Sequence, residues 1–145
     1  MYYEKNIDNY LISNDKTKLQ MEVIHNYLSM ESYWAKNIPL ALVKKSIEGS
    51  YCFGVYFNKQ QIGFARVITD SATFAYLADV FILDEHRGKG LSKQLMKFIM
   101  EFDALKLIRR FMLATKDAQG LYKQFGFNQL SVPERIMEIK FFESY

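Results

Sequence analysis

The sequence is poor in residues that crosslink a chain, rigidify it or give it a strong charge. Its 145 residues include one cysteine and two prolines, and 19 Lys and Arg oppose 16 Asp and Glu, for a net charge of +3. One cysteine excludes an internal disulfide, and the slight, evenly spread charge argues against nucleic-acid binding. No apolar leader or membrane-length apolar run is found, so we expect neither a signal peptide nor a membrane partner. These features predict one cytoplasmic domain over residues 1–145, without a bound metal.

The lone cysteine lies in a run of residues that favour strands, Tyr51-Cys-Phe-Gly-Val-Tyr56. In such a setting Cys52 is expected to be a buried strand residue, and a nucleophilic role is the less favoured interpretation.

Hydrophobic periodicity and turn residues predict a mixed α+β layout around one sheet, after an irregular lead-in over residues 1–9. We expect strands at Asn9–Ser13, Tyr51–Phe57, Ile62–Thr69, Ala72–Ile82, Arg110–Thr115 and Ile136–Phe142. Helices are expected from Thr17 to Met30, from Pro39 to Gly49, from Leu91 to Asp103 and from Asp117 to Phe125. The segment Asn58–Gln61 has the spacing and composition of a hairpin turn.

A strand, a glycine-containing loop and a helix start follow one another in Val80-Phe-Ile-Leu-Asp-Glu-His-Arg-Gly-Lys-Gly-Leu91. Helix starts bind anions because their first N–H groups have no intrahelical partner. Gly88 and Gly90 would let the backbone approach a phosphate, and Arg87, Lys89 and Lys93 would add positive charge. The spacing fits neither a P-loop nor a dinucleotide fingerprint. The alternative is that the two glycines only form a tight turn.

A second segment, Ala118-Gln-Gly-Leu-Tyr-Lys-Gln-Phe-Gly-Phe127, places Tyr122 on a short helix that Gly126 would end. A tyrosine in this position is usually a core residue whose hydroxyl is hydrogen-bonded. A phenol can also donate a proton to a leaving thiolate.

In this order and at this separation, the two segments resemble the GNAT N-acetyltransferase superfamily. They are similar to that family's strand with an Arg/Gln-x-x-Gly-x-Gly/Ala loop and to its later Ala-x-x-Leu-Tyr-x-x-x-Gly-Phe segment. The resemblance implies a mostly antiparallel central sheet flanked by helices, acetyl-CoA as co-substrate and an amine of a small molecule or peptide as acceptor. It also implies direct transfer in a ternary complex, with no acyl-enzyme.

The resemblance assigns roles to individual residues of the donor site. Backbone groups of Val80, Phe81 and Ile82 would pair with the pantetheine arm, and the N–H of Val80 or Phe81 would polarise the acetyl carbonyl. Tyr122 would protonate the departing CoA thiolate. The pyrophosphate would bind the backbone N–H groups of Arg87, Gly88, Lys89, Gly90, Leu91 and Ser92. Thr115 stands where family members often have an Asn that contacts CoA.

One departure from the family pattern concerns the general base. Related proteins often carry Glu where this chain has Ala78, and alanine cannot accept a proton. Asp79 would then act through water, Tyr76 or Glu31 would contribute, or the acceptor would be a weakly basic amine that needs little activation. This departure motivates an alternative function, a catalytically weak acyl-CoA-binding or regulatory domain on the same fold.

The acceptor site is expected among aromatic residues and one arginine. Arg66 would meet an acceptor carboxylate or form a structural salt bridge with an acid such as Asp79. A loop carrying Tyr33 and Trp34 would line the acceptor pocket, pack on the core, or bind another protein. The aromatic residues considered for the pocket are Tyr27, Tyr33, Trp34, Phe64 and Tyr76. A homodimer formed through the last strand is also possible.

Overall fold

The computed structural model describes residues 2–145 and contains one six-stranded sheet with strand order β1-β2-β3-β4-β5-β6. The strands are β1 Glu4–Ile7, β2 Tyr10–Ser13, β3 Tyr51–Phe57, β4 Gln60–Thr69, β5 Phe74–Ile82 and β6 Arg110–Leu113. The helices are α1 Met21–Asn26, α2 Leu40–Glu48, α3 Leu91–Met100 and α4 Gln119–Lys123. All neighbouring strands are antiparallel except β5 and β6, which are parallel. The predicted α+β class is therefore confirmed.

The sheet separates two hydrophobic cores. On one face, Leu95 and Ile99 of α3 belong to a buried cluster with Phe53 of β3. On the other face, Ile24 of α1 lies in a cluster with Phe64 of β4, together with side chains of α2. Since successive side chains of a strand point to opposite faces, the apolar runs of the central strands supply both cores.

Strand β5 carries a β-bulge in its middle. Phe64 pairs with Phe81 and Arg66 pairs with Ala78, so two residues of β5 stand opposite a single residue of β4. One of these two β5 residues, Asp79, has a left-handed backbone with φ 56°. A bulge leaves the extra residue outside the hydrogen-bond ladder and increases the local twist.

Strands β5 and β6 pair over only part of their lengths. The parallel ladder runs from Phe74 and Arg110 to Leu77 and Leu113, whereas β5 continues to Ile82. Among residues 2–145, the edge of β5 beyond Leu77 therefore has no ladder partner on the β6 side. This divergence forms the cleft that is described below as the β5/β6 cleft.

The predictions for the N-terminal quarter need two corrections. Residues Glu4–Ile7 form β1 rather than an irregular lead-in, because they pair with β2 across a tight turn at Asp8, where φ is 53°. The helix predicted from Thr17 to Met30 is divided into a 3₁₀ turn at Lys16–Lys18, α1, and a π-helical turn at Tyr27–Glu31. Local periodicity did not indicate this division.

The predicted final strand over Ile136–Phe142 is wrong. A 3₁₀ turn at Pro133–Arg135 precedes it, and the side chains that follow are largely exposed, with Met137 91% and Phe141 88% accessible. Alternating apolar residues form a stable strand only when an edge accepts their backbone groups and a core buries one face. In the described part of the chain this segment meets neither condition. The homodimer suggested for it remains a prediction.

The hairpin prediction at Asn58–Gln61 is confirmed, since β3 and β4 are joined there by two residues, Asn58 and Lys59, that both have positive φ. This is the geometry of a type I′ turn, which matches the twist of the two strands. No helix within residues 2–145 is both long and apolar enough to cross a membrane.

Candidate active site

The loop between β5 and α3 has the form of an anion-binding site. Gly88 and Gly90 both have left-handed backbones, with φ 78° and 75°, and α3 begins directly after Gly90. No side chain of the described residues caps this helix, so its first N–H groups are left for a ligand. Ser92 lies inside the first turn of α3. The strand, loop and helix order predicted from the sequence is confirmed.

The side chain of Arg87 is bound to the protein rather than directed at a ligand. Its Nε donates to the carbonyl oxygen of Ile82 at 2.9 Å, and its Nη2 donates to the Tyr27 hydroxyl at 3.0 Å. Its Nη1 lies 2.6 Å from Asp84 Oδ1. Arg87 therefore holds the loop in place. Its main-chain N–H also bonds within the loop, to the Asp84 carbonyl oxygen at 3.2 Å, so the candidate anion contacts are the N–H groups that follow it, from Gly88 to Ser92.

The other two cations of the loop differ in their contacts. Lys89 Nζ lies 3.4 Å from the Tyr10 hydroxyl and 5.8 Å from the centre of that ring, and Tyr10 is in turn 2.7 Å from His86 Nδ1. Lys93 is exposed on α3. Both ammonium groups are exposed and add positive charge beside the helix start.

Tyr122 projects from α4 into the core next to β6. The residue is 8% exposed, and its ring packs edge-on against Phe127 with centroids 6.0 Å apart. Burial, followed by the neighbouring Tyr33 and Asp117, raises the pKa of Tyr122 to about 12. The phenol is therefore protonated at neutral pH and can donate a proton. It lines a groove of about 470 Å³ along β6, whose wall includes Thr115.

Thr115 shapes the turn before α4. Its Oγ1 accepts a hydrogen bond from the Ala118 N–H at 3.0 Å. The hydroxyl therefore has a structural role in the turn, close to where the resemblance implied a CoA contact. The left-handed cap predicted at Gly126 is present, with φ 96°.

Asp79 lies at the centre of a hydrogen-bonded network on the α1/α2 side of the sheet. Its Oδ2 lies 2.6 Å from Arg66 Nε, and its Oδ1 accepts from Trp34 Nε1 at 2.8 Å. Arg66 Nη1 also donates to Ser50 Oγ at 3.1 Å. The side chains of Asp79 and Arg66 are only 9% and 16% exposed. Of the two roles considered for Arg66, the structure shows the salt bridge with Asp79.

The loop that carries Tyr33 and Trp34, here called the aromatic loop and comprising residues 32–38, bridges the mouth of the β5/β6 cleft. Trp34 is bonded to Asp79 at the β5 bulge, and the Tyr33 hydroxyl accepts from the backbone N–H of Lys116, just after β6, at 2.9 Å. The Lys116 ammonium also lies 5.4 Å from the Tyr33 ring centre. The two rings meet edge to face at 5.0 Å and are 52% and 40% exposed. They are therefore accessible to a ligand.

Direct contacts thus bring together four of the residues that the sequence suggested for the acceptor side and for catalysis, namely Tyr33, Trp34, Arg66 and Asp79. Tyr76 is half-buried on β5, opposite Ile68, two residues before Ala78. It shares the strand with the network and lies on the same face as Ala78. Sequence reasoning missed Ser50 and Lys116, because neither a lone serine nor a surface lysine gives a signal before the fold places it.

Cys52 is buried, as predicted from the sequence. It is 2% exposed, and burial raises the pKa of its thiol to about 11. A thiol that stays protonated is a poor nucleophile, so the site offers no covalent route through Cys52. Within residues 2–145 no group of His, Cys, Asp or Glu side chains is arranged to hold a metal ion.

Comparison with known proteins gives a consistent result. Residues 48–129, more than half of the chain, match the family model described as an acetyltransferase (GNAT) domain. A Gibberella zeae protein whose name assigns it provisionally to the acetyltransferases is 32% identical over 133 residues, covering 78% of this chain and 75% of its own.

Solved structures agree in fold. A protein of Xanthomonas campestris pv. campestris, provisionally described as an acetyltransferase of the GNAT family, is 48% identical with a TM-score of 0.90, covering 93% of this chain and 95% of its own. A GNAT family acetyltransferase of Elizabethkingia anophelis, solved with acetyl-CoA bound, has a TM-score of 0.63 and 15% identity, covering 84% and 78%. The latter likeness concerns the fold alone.

Proposed function

Since the chain belongs to the GNAT acetyltransferase family, we propose that it is an acetyl-CoA-dependent N-acetyltransferase acting on an amine of a small molecule or peptide. The observation that carries the proposal is the arrangement of three features around β5 and β6. The uncapped start of α3 follows the end of β5, β5 diverges from β6 after Leu77, and Tyr122, whose phenol is protonated, lines the groove along β6.

The donor half of this cleft fits CoA. Pyrophosphate would bind the N–H groups of Gly88–Ser92, where two left-handed glycines keep side chains away from the backbone. The Arg87 N–H, also expected from the sequence, instead donates to the Asp84 carbonyl oxygen. The edge of β5 over Val80–Ile82 has no strand beside it on the β6 side. Arg87 Nε occupies the Ile82 carbonyl oxygen, and the remaining backbone groups of this edge can pair with the amide groups of a pantetheine arm as an added strand would. The relative from Elizabethkingia anophelis, which holds acetyl-CoA on the same fold, supports this assignment.

The β-bulge would supply the backbone N–H that polarises the acetyl carbonyl. Because Val80 lies in the bulge and has no registered partner on β4, its N–H can point into the cleft instead of at β4. Phe81, the other residue considered for this role, is paired with Phe64 of β4. A fixed donor at that position would stabilise the negative charge that develops on the acetyl oxygen during attack.

Tyr122 would act as the general acid. As the amine nitrogen forms its bond to the acetyl carbon, the carbon–sulfur bond breaks and the sulfur receives the phenolic proton. The incoming amine loses its own proton to Asp79 through a water molecule. Asp79 then releases that proton to the solvent, from which the phenolate recovers the proton that it gave to the sulfur. A carboxylate has about four lone-pair sites, so the bonds from Arg66 and Trp34 leave room for that contact.

The aromatic loop and Asp79 would form the acceptor side, with Tyr76 and Arg66 further along the same face. The alternative of a non-catalytic acyl-CoA-binding domain rests on Ala78 alone, and the acetyltransferase names of the relatives do not favour it. A cytoplasmic location also stays a prediction.

The test is a thiol-release assay with acetyl-CoA and a panel of amines that includes polyamines, amino acids, amino sugars and peptide N-termini. We expect amine-dependent release of CoA above the rate without acceptor, and mass spectrometry should find the acetylated amine. Calorimetric binding of CoA without turnover of any amine would support the binding-domain alternative. No binding of CoA would contradict the proposed donor site.

A further inference from the structure

Tyr27 connects the anion-binding loop to the strand that borders the cleft. It is 8% exposed, and its hydroxyl accepts the hydrogen bond from Arg87 Nη2 at 3.0 Å. Its ring stacks on Phe81 with centroids 4.1 Å apart and an interplanar angle of 10°. Phe81 follows the bulge of β5 directly after Val80. One side chain thus contacts both the loop proposed for pyrophosphate and the strand proposed for the pantetheine arm.

The same residue also supports the aromatic loop. Tyr27 begins the π-helical turn, and its carbonyl accepts the N–H of Ser32 at 2.9 Å. Ser32 Oγ donates to Leu28 O at 2.6 Å and accepts from the Ala35 N–H at 3.0 Å, which fixes the backbone on both sides of Trp34. The rings of Tyr27 and Trp34 lie 6.4 Å apart.

The hydroxyl of Tyr27 is needed only for the contact with Arg87. A phenylalanine ring would fill the same space, stack on Phe81 in the same way and leave the π-helical turn intact. A buried hydroxyl that binds a loop arginine therefore indicates a role beyond packing. π-Helical turns inside helices are frequent at functional sites, which agrees with this position.

We propose that Tyr27 is a positioning residue that couples the anion-binding loop to the aromatic loop, so that donor binding changes the position of Trp34. An anion bound to the backbone N–H groups after Arg87 holds the loop in the position that the Arg87–Tyr27 hydrogen bond favours, and so strengthens that bond. The stacked ring transmits this change to Phe81 and, through the π-helical turn, to Trp34. Coupling between two ligand sites is reciprocal, so an amine held by the aromatic loop also tightens donor binding.

The proposal rests on the proposed function, because it requires CoA at the loop. Trp34 is the only tryptophan of the chain, so its emission reports on the aromatic loop alone. In the wild-type protein we expect CoA to shift Trp34 emission with the same midpoint as its calorimetric Kd. In Tyr27→Phe we expect the Kd for CoA to rise about three- to tenfold, the effect of losing one hydrogen bond of ordinary strength that keeps the loop in its binding position. The emission shift at saturating CoA should be largely lost.

The matched control is Tyr51→Phe. The Tyr51 hydroxyl is bonded to Ser71 Oγ at 3.1 Å, at the start of β3 and away from the loop, so this variant should keep both the wild-type Kd and the emission shift. A kinetic comparison uses an amine that the wild-type enzyme acetylates. With that amine, the KM for acetyl-CoA should rise in Tyr27→Phe by a larger factor than kcat falls.

The outcomes separate the two proposals. If CoA does not bind the wild-type protein in calorimetry, the proposed function fails. If CoA binds but Trp34 emission stays the same, or if Tyr27→Phe keeps the full shift, the coupling is wrong and the proposed function stands. If Tyr27→Phe does not fold, hydrogen exchange of the wild-type protein decides instead. CoA should then slow exchange in residues 32–37, and unchanged exchange would overturn the coupling.

Discussion

Replacing Tyr122 with phenylalanine removes one oxygen atom from the cleft and leaves the ring in place. The ring is buried against Phe127, so packing and the path of α4 should be preserved. Backbone groups bind CoA in the proposed site, so the calorimetric Kd for CoA should change little. What the variant loses is the proton donor for the departing sulfur.

The expected loss follows from the environment of Tyr122. General acid catalysis contributes about 10²- to 10⁴-fold to a rate. Burial raises the pKa of Tyr122 to about 12, which makes it a weaker acid than an exposed phenol. Desolvation in the same cleft also makes the departing thiolate more basic. We therefore expect the low end of the range, a fall in kcat of about 100-fold, equivalent to about 2.7 kcal/mol.

The assay is thiol release with saturating acetyl-CoA and the best amine of the panel, measured between pH 7 and 10. Because the pKa of Tyr122 is raised to about 12, its phenol stays protonated throughout this window. Tyr122→Phe should therefore lower the pH–rate profile without changing its shape, while Tyr51→Phe keeps the wild-type rate. Wild-type turnover by Tyr122→Phe with several amines would refute the acid role.

Three further predictions concern the loop, the network and the cysteine. Gly90→Ala should lower the free energy of unfolding by about 1–2 kcal/mol and weaken CoA binding, because a φ of 75° is strained for alanine. No atom lies within 4 Å of the added Cβ, so the effect comes from the backbone and not from a clash. Unchanged urea unfolding would contradict this. Asp79→Asn should lower the free energy of unfolding, measured in the same urea assay, by about 3 kcal/mol because it leaves the charge of Arg66 without its partner. A loss below about 0.5 kcal/mol would show that the salt bridge is dispensable for stability. Cys52→Ala should keep full turnover. Cys52 of the native wild-type protein should resist iodoacetamide at pH 8, because burial raises the pKa of its thiol to about 11. Rapid alkylation would show that Cys52 is accessible.

The parts of the fold that the sequence predicted are those fixed by local chemistry. Gly88 and Gly90 interrupt the chain between an apolar strand and an amphipathic helix, and both adopt the left-handed backbone that glycine favours. The hairpin at Asn58–Lys59 and the cap at Gly126 were predictable for the same reason. Each depends on a few neighbouring residues and requires no partner elsewhere in the chain.

The features that the sequence did not reveal depend on distant contacts. Strand β1 exists because β2 accepts its backbone groups, whereas Ile136–Phe142 has an equally suggestive pattern and no such partner in the described chain. The bulge at Asp79 is stabilised by Arg66 and Trp34, which are 13 and 45 residues away along the chain. A left-handed backbone at a non-glycine residue costs on the order of 1–3 kcal/mol and persists only where such contacts hold it.

The most direct test of the account is a crystal structure of the protein with CoA bound. The account predicts the pyrophosphate within hydrogen-bonding distance of the backbone N–H groups of Gly88–Ser92. It also predicts the pantetheine arm along Val80–Ile82 and the sulfur beside the Tyr122 hydroxyl. Electron density for CoA at any other surface, or a sulfur distant from Tyr122, would contradict the proposed donor site.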